Sequence, residues 1–323
     1  MKKTLLSGLV LCACVCACVF AQELKMPAIF SDNLVLQAGK DTPVFGWAAP
    51  GASVEVKFTA RGKSVSAKAT ADKDGKWLAR MPELPAGLEG TLTVKSGKDT
   101  LTFSDALIGE VWLCGGQSNM AWTIGAGTMS EEIKQTARDE ADKVDGKVRM
   151  FRVRRVGADE PQDDVQMEAG KWEVVTPENV KNCTAVGWNF AVRVNKEAGL
   201  PVGLINSNWG GTVVEAWLPK EVIDSTSVAD SVWQRHEQML EGWEEKMDVY
   251  NEQIKEFNET YKTNSERLAN RRLQPRKPYS PTDRNAPCRL YNAMMHGLGN
   301  YGMRGMLWYQ GEANAGWPRV NEY

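Results

Sequence analysis

Three short blocks carry the side chains in this chain that could do chemistry. Residues 115–120 read Gly-Gly-Gln-Ser-Asn-Met, residues 206–212 Asn-Ser-Asn-Trp-Gly-Gly-Thr, and residues 308–314 Trp-Tyr-Gln-Gly-Glu-Ala-Asn. In the first, Ser118 follows an apolar run, Val111-Trp112-Leu113-Cys114, that reads as a buried strand broken by Gly115 and Gly116. A serine at such an exit presents its hydroxyl at the carboxyl edge of the sheet, where open α/β sheets bind their ligands. At the start of a following helix the free backbone N–H groups also stabilise an oxyanion. Nucleophile and N–H donors together are the layout of acyl transfer. Taken alone, the same block is equally a helix N-cap or a turn.

The elements that must position these blocks fall into two patterns. Residues 22–105 are all-β in pattern: segments 43–47, 53–58, 64–69, 76–81 and 90–95 alternate apolar and polar residues. Turns such as Ala49-Pro50-Gly51 and Asp74-Gly75 separate them. Strands at that spacing predict a small sandwich, which is either a carbohydrate-binding module or a rigid neighbour of a catalytic unit. From residue 106 strands alternate with helices: a strand over 108–114, a helix over 130–144 opened by Ser130 and Glu131, and a strand over 148–154. A helix over 185–197, closed by Gly199 and Pro201, leads to strands over 202–206 and 303–309. Strand–helix alternation predicts a parallel sheet with helices on both faces. Within 106–323, an insertion at about 225–275 carries apolar residues from Trp233 to Leu268 at steps of three and four. It is one long helix or a hairpin, ended by Pro275, Pro278 and Pro281.

Composition narrows the function classes. At 323 residues, with 42% hydrophobic and 25% charged residues, the chain reads as an ordinary globular protein of roughly two domains. A formal charge of −2 gives no basic excess, so nothing points to nucleic acid. Residues 1–21 read as a secretory signal: Lys2-Lys3, an apolar run over 5–20 too short for a membrane span, and cleavage before Gln22. Ordinary cleavage is preferred over cleavage before Cys18, which would give a lipoprotein, so the expected location is secreted or periplasmic. Four of the seven cysteines lie in that segment, which leaves Cys114, Cys183 and Cys288 as buried free thiols without metal-ligand spacing. The twelve tryptophans are mostly core residues, with a weak lean towards stacking on sugars.

Together with Glu215-Ala216-Trp217 and residues 30–37 (Phe-Ser-Asp-Asn-Leu-Val-Leu-Gln), the three blocks strongly resemble the bacterial sialate O-acetylesterase family of SGNH-type hydrolases. The resemblance runs from about Phe30 to the last residue. It differs from the α/β-hydrolase elbow, because Met120 stands where that motif has its second glycine. The resemblance implies an α/β fold: a three-layer α/β/α SGNH-hydrolase-like domain, C-terminally incomplete, preceded by a small all-β sandwich. It implies a serine esterase that removes O-acetyl groups from sugars or glycans, with no metal or organic cofactor. Carried over residue by residue, Ser118 is the nucleophile. Its N–H and that of Gly210 or Gly211, with Gly211 preferred, face the oxyanion. Gln310 is preferred over Asn314 as a side-chain donor, and Asn119, Glu312 and Asn314 are the substrate-binding candidates. Glu312 orients Gln310, binds the sugar, or pairs with a local N–H or arginine.

One component of that resemblance is not found. Such enzymes pass the serine proton to a histidine near the C-terminus, in an Asp-x-x-His arrangement. The chain has two histidines. His236 sits on the helical seam as a packed or surface residue, and His296 lies on the helix before the last strand. The expectation is an N-terminal portion of a longer enzyme, with the base and its acid beyond residue 323. Two alternatives stand beside it: deacetylation of xylan or another polysaccharide, and a non-catalytic sugar-binding protein that lacks the base.

Overall fold

The computed structural model describes residues 23–315. The expected signal segment lies outside them. No helix among the described residues is long and apolar enough to cross a membrane. In chain order the strands of the first part are β1 (Val35–Gln37), β2 (Thr42–Trp47), β3 (Ser53–Ala60), β4 (Lys63–Thr70), β5 (Lys76–Met81) and β6 (Glu89–Ser96). The period-2 alternation of exposed and buried residues over 53–58 in β3 and along all of β5 places Val54, Val56 and Phe58 with Trp77, Ala79 and Met81 in one core. Each fully buried valine, phenylalanine or methionine among them contributes about 1.5–3 kcal/mol relative to exposure.

The element that follows changes the expected organisation. β7 (Asp99–Gly116) is a single strand of 18 residues that runs from the first part into the second. Its first half pairs antiparallel with β6, and Leu107–Gly109 also pair with β1. The expected boundary at 105/106 therefore falls inside a continuous strand. The turn chemistry of Ser104-Asp105 produces a kink there, with Asp105 at φ +53. Arg149, 4% exposed, pins it by donating to Asp105 O and, at 2.9 Å, to Asp105 Oδ1.

Beyond the kink come α1 (Ser118–Ala121), α2 (Glu131–Lys143), β8 (Val148–Arg152), β9 (Glu173–Val174), α3 (Ala185–Ala198) and β10 (Val202–Asn208). α4 (Lys220–Asp224), α5 (Ala229–Leu240), α6 (Trp243–Thr260), α7 (Asn264–Ala269), α8 (Arg289–Met294) and β11 (Gly305–Tyr309) complete the described chain. Ser130 caps α2 by accepting from Ile133 N at 3.3 Å. Gly199, at φ +68, closes α3 in the left-handed conformation. β10 and β11 flank the second half of β7, both parallel to it, and β8 pairs parallel with the far side of β10. Strand alternation splits the apolar residues between the two faces. Cys114, Met150 and Leu204 join the side chains of α2 and α3 on one face, while Leu113, Phe151 and Ile205 meet α8 on the other.

The insertion is neither one long helix nor a simple hairpin. Gly242, at φ +63, ends the run of α5 and starts α6, and Thr263 opens α7 with a capping box. Its seam from Trp233 to Tyr261 is half-buried, with Phe257 buried, and Leu268 at its end is 68% exposed. The three remaining cysteines are free and buried, as their spacing predicts. Burial pushes the Cys114 thiol up to about 12, so it is inert at neutral pH.

Candidate active site

The register of β7 with its two parallel neighbours brings the three sequence blocks to one edge. Gly116 pairs with Asn208 on one side and with Tyr309 on the other, so all three strands end level. Backbone hydrogen bonds carry the pairing into the loops: Trp209 N donates to Gly116 O at 3.0 Å, and Gln117 N to Tyr309 O at 2.9 Å. Gly116 is required at the crossing. Its φ is +129, and a Cβ there would lie 2.1 Å from Tyr309 O.

Ser118 is exposed at the first residue of α1. Its hydroxyl and its backbone N–H have no hydrogen-bond partner among the described residues, as the opening N–H of a helix has none within it. Gly210 lies over it: a Cβ on Gly210 would be 3.6 Å from the Ser118 Cβ. The N–H groups of Gly210 and Gly211 are likewise without acceptors among the described residues. Gly211 sits at φ +71, beneath the Arg284 guanidinium, which also stacks over Trp209 at 5.7 Å. The nucleophile candidate thus lies at an exposed opening on the sheet edge, against the Gly210 turn.

Side chains of the third block hold that opening together. Glu312 accepts from the side-chain amides of both Gln117 and Asn119, so its carboxylate clamps the Ser118 turn. That is the local N–H pairing among the roles open to Glu312, and it occupies the amide of Asn119 as well. Gln310 Nε2 donates to Thr212 O at 3.2 Å and to Asn314 Oδ1 at 2.6 Å. Both amide hydrogens of Gln310 are thereby used within the wall, which leaves the backbone N–H groups as the open donors beside Ser118.

Asn314 corrects the expectation of a substrate contact. It is 3% exposed; its oxygen accepts from Val214 N and Gln310, and its amide donates to Glu215 Oε2 at 2.8 Å. It binds the second and third blocks to each other from inside. Glu215, 2% exposed, continues the chain inward by pairing with Arg235. The sequence singled out Glu215 only as part of a motif, and its burial beside Arg235 emerges with the fold.

Neither histidine reaches this opening by its contacts. His236 Nδ1 meets the Tyr279 hydroxyl at 2.7 Å, where burial holds the imidazole below its ordinary value. His296 Nδ1 meets Gln162 O at 3.0 Å.

Comparison with known proteins finds acetylesterases. Sialate O-acetylesterase of Mus musculus is 29% identical over 306 residues, covering 90% of this chain and 52% of that protein. The Homo sapiens sialate O-acetylesterase is 27% identical over the same length, covering 49% of it. The chain resembles the sialate O-acetylesterases. A crystal structure of a carbohydrate acetylesterase from Xanthomonas citri superposes with a TM-score of 0.64 at 29% identity, over 90% of this chain and 52% of that one. The chain spans about half the length of the curated relatives it matches. No family model matches it.

Proposed function

We propose that this chain carries the nucleophile and the oxyanion donors of a carbohydrate O-acetylesterase, sialate O-acetyl esters being the first substrates to try. The observation that carries the reading is the exposed Ser118 hydroxyl, without a partner among the described residues, lying against the Gly210 turn at the carboxyl edge of a parallel sheet. Relatives named for this activity and a carbohydrate acetylesterase of like fold support it. The exposed indoles of Trp122, just past α1, and Trp308, on β11, add stacking surface for a sugar.

In this reading Ser118 Oγ attacks the acetyl carbonyl carbon and its proton passes to a base. The N–H groups of Ser118 and of Gly211 or Gly210 hold the tetrahedral oxyanion. Loss of one such donor costs roughly 3–4 kcal/mol of transition-state stabilisation. The C–O bond to the sugar breaks, the proton goes to the departing sugar hydroxyl, and water then releases acetate from the acetyl-serine. Neither His236 nor His296, held by Tyr279 and Gln162 O, is that base. The site lies in an exported protein, secreted or periplasmic, whose front strands form a small sandwich.

The test uses the full gene product. Fluorophosphonate labelling at Ser118, together with acetate release from O-acetylated sialic acid or O-acetylated xylan, is expected, and both are lost in Ser118→Ala. The ratio between the two substrates separates a sialate from a xylan esterase. Absence of labelling and of acetate release, while a control esterase labels, refutes the reading in favour of a non-catalytic sugar-binding protein.

A further inference from the structure

The Gly210-Gly211 turn has a second neighbour besides Ser118. A Cβ on Gly211 would lie 3.2 Å from Arg284 Nη2, and glycine at φ +71 lets the guanidinium come that close. Arg284 is held over the Trp209 indole, 5.7 Å from the ring centroid, within cation–π range. Adjacent Cα atoms are about 3.8 Å apart, so Arg284 Nη2 lies no more than roughly 14 Å from the Ser118 Cβ. One sugar ring with its substituents can bridge that distance.

The donors of this arginine are unused. Arg284 is exposed and makes no hydrogen bond or ion pair with any described residue. The acids of this part of the fold are engaged elsewhere. Glu312 accepts from the Gln117 and Asn119 amides, Glu215 from Arg235 and Asn314, and Asp283 from Asn285 N at 2.8 Å.

Those contacts define what Arg284 recognises. A guanidinium is a planar fork that stays charged at any working pH and matches a carboxylate with two parallel hydrogen bonds. Glu312, bonded to both neighbours of Ser118, repels a second carboxylate from the serine end of the opening. An anionic sugar therefore has one favoured orientation, with its ester at Ser118 and its acid at Arg284.

We propose that Arg284 is the specificity residue that reads the carboxylate of a sugar acid whose O-acetyl group lies at Ser118. The assignment rests on the esterase reading for its reaction and on the unpaired guanidinium for its substrate class, O-acetylated sialic or uronic acids in preference to neutral sugars. Arg284 touches the far end of the substrate and takes no part in the acyl transfer.

The experiment compares the full gene product with Arg284→Gln and Arg284→Lys. Acetate release is measured from an O-acetylated sialic acid and its neutral carboxamide, and from an O-acetylated uronic acid and its carboxamide. Saturation-transfer NMR with the unacetylated acids reads binding alone. For at least one of the two acids, the parent protein is expected to favour the acid over its carboxamide in kcat/KM. Arg284→Gln is expected to lower that ratio tenfold or more, equivalent to about 1.4 kcal/mol, and to abolish the NMR signal of the acid. Arg284→Lys, which keeps the charge without the fork, is expected to fall between the two. A ratio that Arg284→Gln leaves unchanged, or acid and carboxamide rates that fall together, overturns the assignment. So does a parent protein that favours the carboxamides, or O-acetylated xylan, over both acids. Should no ester be hydrolysed, the esterase reading fails on its own. Acid binding that Arg284→Gln abolishes then still upholds the carboxylate contact, while binding that survives it, or no binding, overturns it.

Discussion

Glu215 is the place where burial makes the strongest demand. Its carboxylate, 2% exposed, accepts from Arg235 on one oxygen and from Asn314 on the other, and Asn314 in turn holds Gln310 and Val214. Glu215→Ala strips a partly buried guanidinium of its carboxylate and leaves the Asn314 amide without an acceptor. Breaking a buried pair from one side costs about 3–5 kcal/mol. For a chain of this size the unfolding entropy is about 0.6 kcal/mol/K, so the midpoint falls by roughly 5–8 °C. Glu215→Gln keeps an oxygen for Asn314 and loses the charge, a cost of about 1.5–3 kcal/mol and thus roughly 2–5 °C. Differential scanning calorimetry of the three proteins reads both numbers. A loss under 2 °C in the alanine variant, or a glutamine variant as unstable as it, would refute the claim that this carboxylate locks the second and third blocks together.

Three further outcomes follow from the same contacts. Gly116→Ala puts a Cβ 2.1 Å from Tyr309 O at a φ of +129, so urea denaturation should show a loss of about 3 kcal/mol or more. Glu312→Ala releases the Gln117 and Asn119 amides and loosens the turn that aims Ser118; kcat/KM on an acetyl ester should drop about 100-fold, with Glu312→Gln in between. Burial lowers the His236 pKa below that of an unfolded histidine, so the unfolded chain binds the extra proton first. Stability is therefore expected to be full above about pH 6.5 and to decline below it, and in His236→Gln the midpoint between pH 7.5 and 5.5 should decline less.

Much of the strand pattern is legible in the sequence because one face of each strand is wet. The alternation over 76–81 coincides with β5, and Ser130 marks the start of α2 where the acids of its first turn also lie. The three blocks are legible as sites because glycine and short polar side chains interrupt strands that are otherwise apolar. What escapes is whatever depends on register between distant segments. Asp105 has the composition of a domain-ending turn and is instead a kink held by Arg149, forty-four residues away. Gly242 breaks a seam whose heptad spacing ignores it. Asn314 has the side chain of a substrate ligand, and Val214 and Glu215, about a hundred residues away, together with Gln310 turn it inward.

The unbroken course of β7 has a mechanical consequence. At about 3.3 Å per residue its 18 residues make a ribbon close to 60 Å long, clamped by β6 at one end and carrying the nucleophile turn at the other. The front strands are thus the fixed end of the beam on which the serine is mounted. Cutting them away would remove half of the very strand that aims it, and the two regions are expected to exchange their amide protons as one cooperative unit.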